Sequence, residues 1–263
     1  MSGVRHFPEM WEKLMDLQIA IYALDRYFES SWIIQGAELD RLWGRIRKEL
    51  GVLSDGGGID EPLRDIQCYQ KVEEGLRHGG AEDLPDLPKY YYLKTCDVRL
   101  SRVLLEECAP VTRRAVRLSS WGVYDAASEV MDDVEDLYED TENFNGNRLL
   151  LGIGLRGVEA TLDGYNTFLK LLEREAVRLG RPADRLSEQL PLKWALDRIA
   201  RLQLLFARWR TDPDALKQLW ARSALQSQMD ADQMEPCMKE VAFSVGGDLE
   251  FPRPQVGPLE TLT

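Results

Sequence analysis

Apolar residues recur at helical spacing along most of the chain, and this pattern constrains the fold more than any other feature. Near the start they fall three or four residues apart, at Trp11, Leu14, Leu17, Ile21, Leu24 and Phe28. Such spacing places them on one face of an amphipathic helix. No segment shows the sustained alternation of apolar and polar residues that is typical of a strand. The sequence therefore predicts an all-α fold.

Glycine and proline residues divide this pattern into about nine helices. We expect them over residues 8–34, 37–50, 61–78, 89–107, 110–120, 121–142, 149–179, 183–209 and 213–228. A length of 263 residues with 44% apolar residues suits one large helical bundle. We therefore assign residues 1–245 to a single all-helical domain. Residues 246–263, with three prolines and three glycines, are predicted to form an irregular tail.

Composition and charge narrow the classes of function. A formal net charge of -12 argues against a nucleic-acid partner, because phosphate backbones are bound by basic surfaces. Four cysteines without a CxxC pair, together with two histidines, argue against a zinc site. The first residues lack the apolar stretch of a signal peptide, and no window has the length of a transmembrane helix. We expect a soluble, cytoplasmic protein, which would meet a lipid substrate as a soluble or peripheral enzyme.

A run of acidic residues, Asp132-Asp133-Val134-Glu135-Asp136, is the strongest chemical feature. Asp132 and Asp136 are one helical turn apart and share a face, and Asp133 lies about 100° around the axis. Apolar residues precede the run at Val123, Ala126 and Val130, which indicates a packed helix. Magnesium is typically held by one or two carboxylates and substrate phosphates. The run predicts a magnesium–diphosphate site, and a solvated acidic face is the alternative.

The surrounding residues carry a family resemblance. The segment SEVMDDVEDLYEDTENFNGN, residues 128–147, resembles the second aspartate-rich motif of the trans-isoprenyl diphosphate synthases. Asp140-Thr141 and Gly146 stand close to matching family positions, and Lys94-Thr95 matches an upstream Lys-Thr element at about the family's usual separation. The resemblance covers about residues 89–155. It implies a bundle of the isoprenyl diphosphate synthase and class I terpene synthase type.

The resemblance also implies roles for individual residues. Asp132, Asp133 and Asp136 would hold Mg²⁺ and be catalytic, because the metal neutralises charge on a leaving diphosphate. Lys94 would contact the diphosphate as a point charge. Arg148 stands where the family has a cation just past the motif, and it would bind the same group.

The chain departs from the family in several places. No DDxxD motif occurs upstream, and the nearest candidate is Asp25 with Glu29, which we interpret slightly more readily as a surface pair. Glu129 replaces a family glutamine, and Asn147 stands near a family lysine. These departures argue against a standard chain-elongating synthase.

Within the family, a small chain with these departures resembles the prenyltransferases of moenomycin antibiotic biosynthesis. That resemblance implies transfer of a C10 geranyl group from geranyl diphosphate to a lipid phosphoglycerate acceptor. The acceptor would be a farnesyl chain ether-linked to 3-phosphoglycerate, and the product a branched C25 chain. The resemblance further implies a homodimer.

Several alternatives stay open. A class I terpene cyclase or a polyprenyl diphosphate synthase would use the same metal chemistry, although Asn166-Thr167 is not followed by the glutamate of a cyclase motif. A degenerate, noncatalytic partner subunit is the alternative outside enzymes.

Arg99 and Arg102 could bind acceptor phosphate, although a surface pair is the simpler interpretation. Aromatic residues could line a carbocation cavity, with core packing as the simpler role, at Tyr22, Phe28, Tyr69, Tyr91, Trp121, Tyr124 and Phe168.

Overall fold

The computed structural model describes most of the chain between residues 7 and 226. The described residues are 7–32, 34, 36–53, 60–78, 84–108, 118–144, 147–180, 186–224 and 226. They form ten α-helices and one short 3₁₀ helix, and no strand occurs among them. The all-α prediction is confirmed. Within this described part, no helix has the length and apolar character needed to cross a membrane.

The helices follow one another with short connections. Their bounds are α1 Phe7–Ser30, α2 Ala37–Leu53, α3 Asp60–His78, α4 Leu87–Lys94, α5 Cys96–Cys108, α6 Leu118–Glu135, α7 Arg148–Arg156, α8 Val158–Gly180, α9 Leu186–Thr211 and α10 Pro213–Arg222. The 3₁₀ helix, Glu139–Thr141, follows α6.

Two long predicted helices are each divided in the structure. The helix predicted over 89–107 becomes α4 and α5, because Thr95 lies between them and its hydroxyl donates to the Tyr92 carbonyl at 2.9 Å. That bond competes with the helical ladder for the Tyr92 carbonyl. The helix predicted over 149–179 divides at Gly157, whose φ of 83° is readily adopted only by glycine.

The helix that carries the acidic run is shorter than predicted. We expected it to reach residue 142, but α6 ends at Glu135 and a 3₁₀ helix follows. Asn147 contributes to this end, because its side-chain amide donates to the Asp133 carbonyl at 2.7 Å and to the Asp140 carboxylate at 2.6 Å. Acidic side chains at a helix C-terminus also oppose the helix dipole.

Other predicted bounds differ by smaller amounts. α1 ends at Ser30 rather than 34, where the Ser30 hydroxyl donates to the Arg26 carbonyl at 2.8 Å. α10 ends at Arg222 rather than 228. The helix predicted over 110–120 falls largely on residues 109–117, outside the described residues, as does the tail over 246–263.

Buried apolar side chains form two clusters. The first joins α1, α2, α3 and α5 around residues such as Leu17, Ile46 and Leu100. The second joins α4 with the five helices from α6 through α10. Within it, α6, α8 and α9 pack closely around residues such as Leu162 and Phe206. Tyr69 of α3 packs against both clusters. The candidate site lies where these two clusters meet.

Candidate functional site

A cavity of about 170 Å³ lies between α1, α3, α5, α6 and the end of α4. Four lining residues form an apolar wall, Ile21, Leu24, Phe28 and Ile66. Five others carry carboxylates, Asp25, Glu29, Glu73, Asp97 and Glu129. Lys94 is the single cation among the described lining residues. The cavity lining therefore combines apolar side chains with an excess of carboxylates.

Carboxylates on α1 and α6 approach each other from two sides of this cavity. Asp25 and Glu29 of α1 line it, so the interpretation of these residues as a simple surface pair is wrong. Glu129 of α6 lines it from the other side. Burial chiefly raises the pKa of Glu29, and the charges of Glu139 and of Asp136, just past the end of α6, add to the rise. A backbone bond of 2.9 Å from the Phe144 amide to the Glu29 carbonyl ties the end of α1 to this region.

Two of these carboxyl groups have pKa values well above their ordinary values. Burial, followed by the charges of Asp97 and Glu29, raises the pKa of Asp25 to about 7. Burial also raises the pKa of Glu129 to about 8, and the neighbouring Asp97 and Asp132 add to this although Lys94 opposes it. A bound cation would lower both pKa values, because it favours the charged form.

Asp133 lies inside the protein rather than at its surface. Its side chain is 2% exposed, and its carboxylate accepts hydrogen bonds from Lys94 and from the Tyr91 hydroxyl at 2.6 Å. Tyr91 is in turn hydrogen-bonded to Tyr165 at 2.8 Å. Although burial lowers it, the neighbouring Asp133 charge raises the pKa of Lys94 well above its ordinary value. The Lys94 ammonium also lies 3.6 Å from the Glu129 carboxylate.

The structure brings together some of the predicted site residues and separates others. Asp132 and Asp136 are exposed and are not among the residues that line the cavity, whereas Asp133 is committed to Lys94. Arg148 does not line the cavity. Its side chain is 2% exposed and donates to the Pro85 carbonyl at 3.3 Å.

The two arginines considered above lie outside the cavity lining, and only some of the aromatic residues belong to it. Arg99 pairs with Asp65 at 2.7 Å, and Arg102 pairs with the buried Asp125. Neither arginine lines the cavity. Two of the seven aromatic candidates, Phe28 and Tyr69, line the cavity. The other five lie elsewhere: Tyr22 is exposed on α1, Tyr91 is stacked on Phe168, and Trp121 packs against Tyr124.

Sequence reasoning missed two cavity carboxylates, Glu73 and Asp97. Both had a detectable signal. Glu73 falls at helical spacing between Ile66 and Leu76 on the apolar face of α3, where an acidic residue is unusual. Asp97 follows Lys94 by three residues, which places the two on neighbouring positions of a helical surface.

The donor set fits a hard divalent cation. Carboxylate oxygens are the ligands that Mg²⁺ prefers, and here they come from α1 and from α6 with the residues after it. Within the described residues, no three acidic, histidine or cysteine side chains are already gathered tightly enough to hold an ion. Asp25, Glu29 and Glu129 line the cavity, and any metal ion held by them would need further ligands from outside these three side chains.

Comparison with known proteins adds no relative. The chain matches no protein-family model, no curated protein and no solved structure.

The buried pair of Lys94 and Asp133 should be strongly coupled. We expect Lys94→Met to lower the free energy of unfolding by about 3–5 kcal/mol, because it leaves a buried carboxylate without its cation. Adding Asp133→Leu should recover part of this loss, since no lone charge remains. A double-mutant cycle by chemical denaturation measures the coupling. Additive effects of the two substitutions would show that the side chains do not interact.

The raised carboxyl pKa values predict a pH dependence of stability. From about pH 4 to about pH 8 the native state holds more protons than the unfolded state, so the free energy of unfolding should fall as pH rises. The window follows from pKa values of about 7 and about 8 in place of 3.8 and 4.5. Glu129→Gln should reduce the total fall in the free energy of unfolding across this pH window by about 1–3 kcal/mol. Denaturation at several pH values, with the exposed Glu159→Gln as control, measures it. An unchanged slope in Glu129→Gln would contradict the assignment.

Proposed function

We propose that this chain is a magnesium-dependent prenyltransferase of the isoprenyl diphosphate synthase and class I terpene synthase type. The observation that supports the proposal is the approach of acidic groups from α1 and α6 on two sides of a cavity with an apolar wall. Such a cavity suits a substrate with a charged diphosphate and an apolar chain. The resemblance around residues 89–155 supports the same chemistry independently.

The carboxylates in and near the cavity would bind the diphosphate through metal ions. Asp25 and Glu29 from one side, and Glu129, Asp132 and Asp136 from the other, would hold Mg²⁺. The metal supplies neutralisation of the charge that develops on the departing diphosphate. Lys94 would act mainly through position, because Asp133 holds its ammonium beside the Glu129 carboxylate.

The apolar side chains of the lining would protect the reacting carbon from water. When the allylic C–O bond breaks, its electron pair leaves on the diphosphate and an allylic cation remains. The Ile21, Leu24 and Ile66 side chains exclude water, and the rings of Phe28 and Tyr69 can stabilise the cation. A double bond of the acceptor then supplies the electrons of the new C–C bond, and loss of a proton restores neutrality.

We further propose geranyl diphosphate as the donor and farnesyl-3-phosphoglycerate as the acceptor. The support for this specific pair is the resemblance to the small prenyltransferases, together with the departures from a standard synthase at Glu129 and Asn147. An acceptor without a diphosphate would need fewer metal ligands, which agrees with the commitment of Asp133 to Lys94.

An assay with geranyl diphosphate and Mg²⁺ tests this function. Wild type should form a C25 phosphoglycerate product with farnesyl-3-phosphoglycerate, and Asp132→Ala should reduce turnover by about 10²–10³-fold through lost charge stabilisation. Asp197→Ala, an exposed aspartate on α9, is the matched control and should leave turnover unchanged.

The other outcomes separate the alternatives. Diphosphate release without an acceptor would favour a cyclase, and a longer diphosphate product with isopentenyl diphosphate would favour a polyprenyl synthase. If wild type consumes no donor under any of these conditions, the enzyme proposal is wrong, and a noncatalytic partner role replaces it.

A further inference from the structure

Two of the five carboxyl groups that line the cavity have no partner in the described part of the chain. The other three are each paired: Glu129 lies 3.6 Å from the Lys94 ammonium, Asp97 accepts from the Val98 amide at 2.7 Å, and Glu73 accepts from the Tyr90 hydroxyl at 3.4 Å. Asp25 and Glu29 of α1 form no side-chain hydrogen bond and no ion pair with any residue that the structure describes. These two carboxyl groups are therefore available to a ligand.

The position of this pair is unusual for carboxyl groups without partners. Asp25 and Glu29 are one helical turn apart, so they lie on the same face of α1, and both are partly buried. Arg26 acts on Glu29 through its charge but forms no ion pair with it. Because polar groups removed from water are normally hydrogen-bonded, a ligand that supplies donors at this point gains free energy that the protein alone does not.

The charge of the lining favours a ligand that is itself positive. Five carboxyl groups face one ammonium, and that ammonium is also bound by Asp133 outside the lining. A cation relieves the mutual repulsion of the carboxyl groups, whereas an anion adds to it. The ligand that this cavity binds without help from a metal is therefore a cation.

The apolar part of the lining favours an organic cation over a bare metal ion. Ile21, Leu24, Phe28, Ile66 and Tyr69 line the same cavity as the carboxyl groups. A hydrated Mg²⁺ keeps several of its waters and gains little from such side chains. An ammonium ion on an apolar body gains from burial of that body and from cation–π contact with the two rings.

The volume of the cavity limits the size of such a ligand. It is about 170 Å³. An engineered cavity of about 150 Å³ in another protein binds benzene, so this one has room for a body of about one six-membered ring. A large amphiphile would not be enclosed, and a compact amine would be.

We propose that the cavity binds a compact organic ammonium ion directly, without a metal. Its N–H groups donate to the carboxylates of Asp25 and Glu29, and its apolar body lies against the Phe28 and Tyr69 side chains. This site goes beyond the prenyltransferase proposal and does not rest on it. A diphosphate needs metal ions to approach these carboxyl groups, whereas an ammonium ion carries the required charge itself.

Titration of benzylammonium into the full chain, in buffer that contains EDTA and followed by calorimetry, tests the proposal. Wild type should show saturable binding at one site. Benzyl alcohol, which has the same ring without the charge, should bind at least about tenfold more weakly, because it lacks charged hydrogen bonds. Ammonium chloride should also bind more weakly, because it lacks the apolar body, and benzoate should not bind.

Three variants locate the site. Asp25→Asn and Glu29→Gln keep the shape of each side chain and remove its charge, and each should weaken benzylammonium binding by about tenfold or more. Asp16→Asn makes the same change at an exposed position on α1 and should bind as wild type does. Circular dichroism of each variant checks that helical content is retained.

Several results would overturn the proposal. These are the absence of saturable binding to wild type, a requirement for Mg²⁺, and equal binding of benzyl alcohol and benzylammonium. Wild-type affinity in both Asp25→Asn and Glu29→Gln would also overturn it. The titration contains neither a prenyl donor nor a metal, so failure of the prenyltransferase assay leaves its result unchanged.

Discussion

The buried ion pair between Lys94 and Asp133 is the interaction on which the rest of the site depends. It joins the last residue of α4 to the helix that carries the acidic run, at the junction of the two apolar clusters. The Tyr91 hydroxyl donates to the second carboxylate oxygen, and its hydrogen bond with the Tyr165 hydroxyl extends the network into α8. Because a lone buried charge is costly, this pair fixes the position of α4 against α6.

The pair also explains why the cavity remains acidic. Lys94 is shared between Asp133 and Glu129, so several carboxylates face one another without an equal number of cations. Burial and mutual repulsion raise the pKa values of Asp25 and Glu129 into the neutral range. An arrangement that resists its own ionisation is suited to a ligand that brings positive charge, such as a divalent cation.

Local sequence patterns predicted most helices but not their interruptions. Helical spacing of apolar residues is a property of neighbours along the chain, whereas the break at Thr95 depends on one side-chain hydrogen bond and the break at Gly157 on one positive φ. The end of α6 depends on Asn147, which lies beyond the following 3₁₀ helix.

The sequence likewise predicted some residues of the candidate site but not the direction in which their side chains point. The acidic run and Lys94 were found because their chemistry is visible locally, and the structure places Lys94 on Asp133. The orientation of Asp25 toward the cavity and the burial of Arg148 both follow from tertiary packing. No spacing rule for one helix can supply that information, because each residue could face either side of its helix.

The central claim is that α1 and α6 share one cation site with a diphosphate. Titration of Mn²⁺, observed by electron paramagnetic resonance with and without inorganic pyrophosphate, tests it most directly. Pyrophosphate should tighten Mn²⁺ binding to wild type, and the double variant Asp25→Asn with Glu29→Gln should lose about tenfold or more in affinity. Asp40→Asn on α2 should leave the affinity unchanged. Equal Mn²⁺ affinity in the double variant and wild type would contradict a shared site.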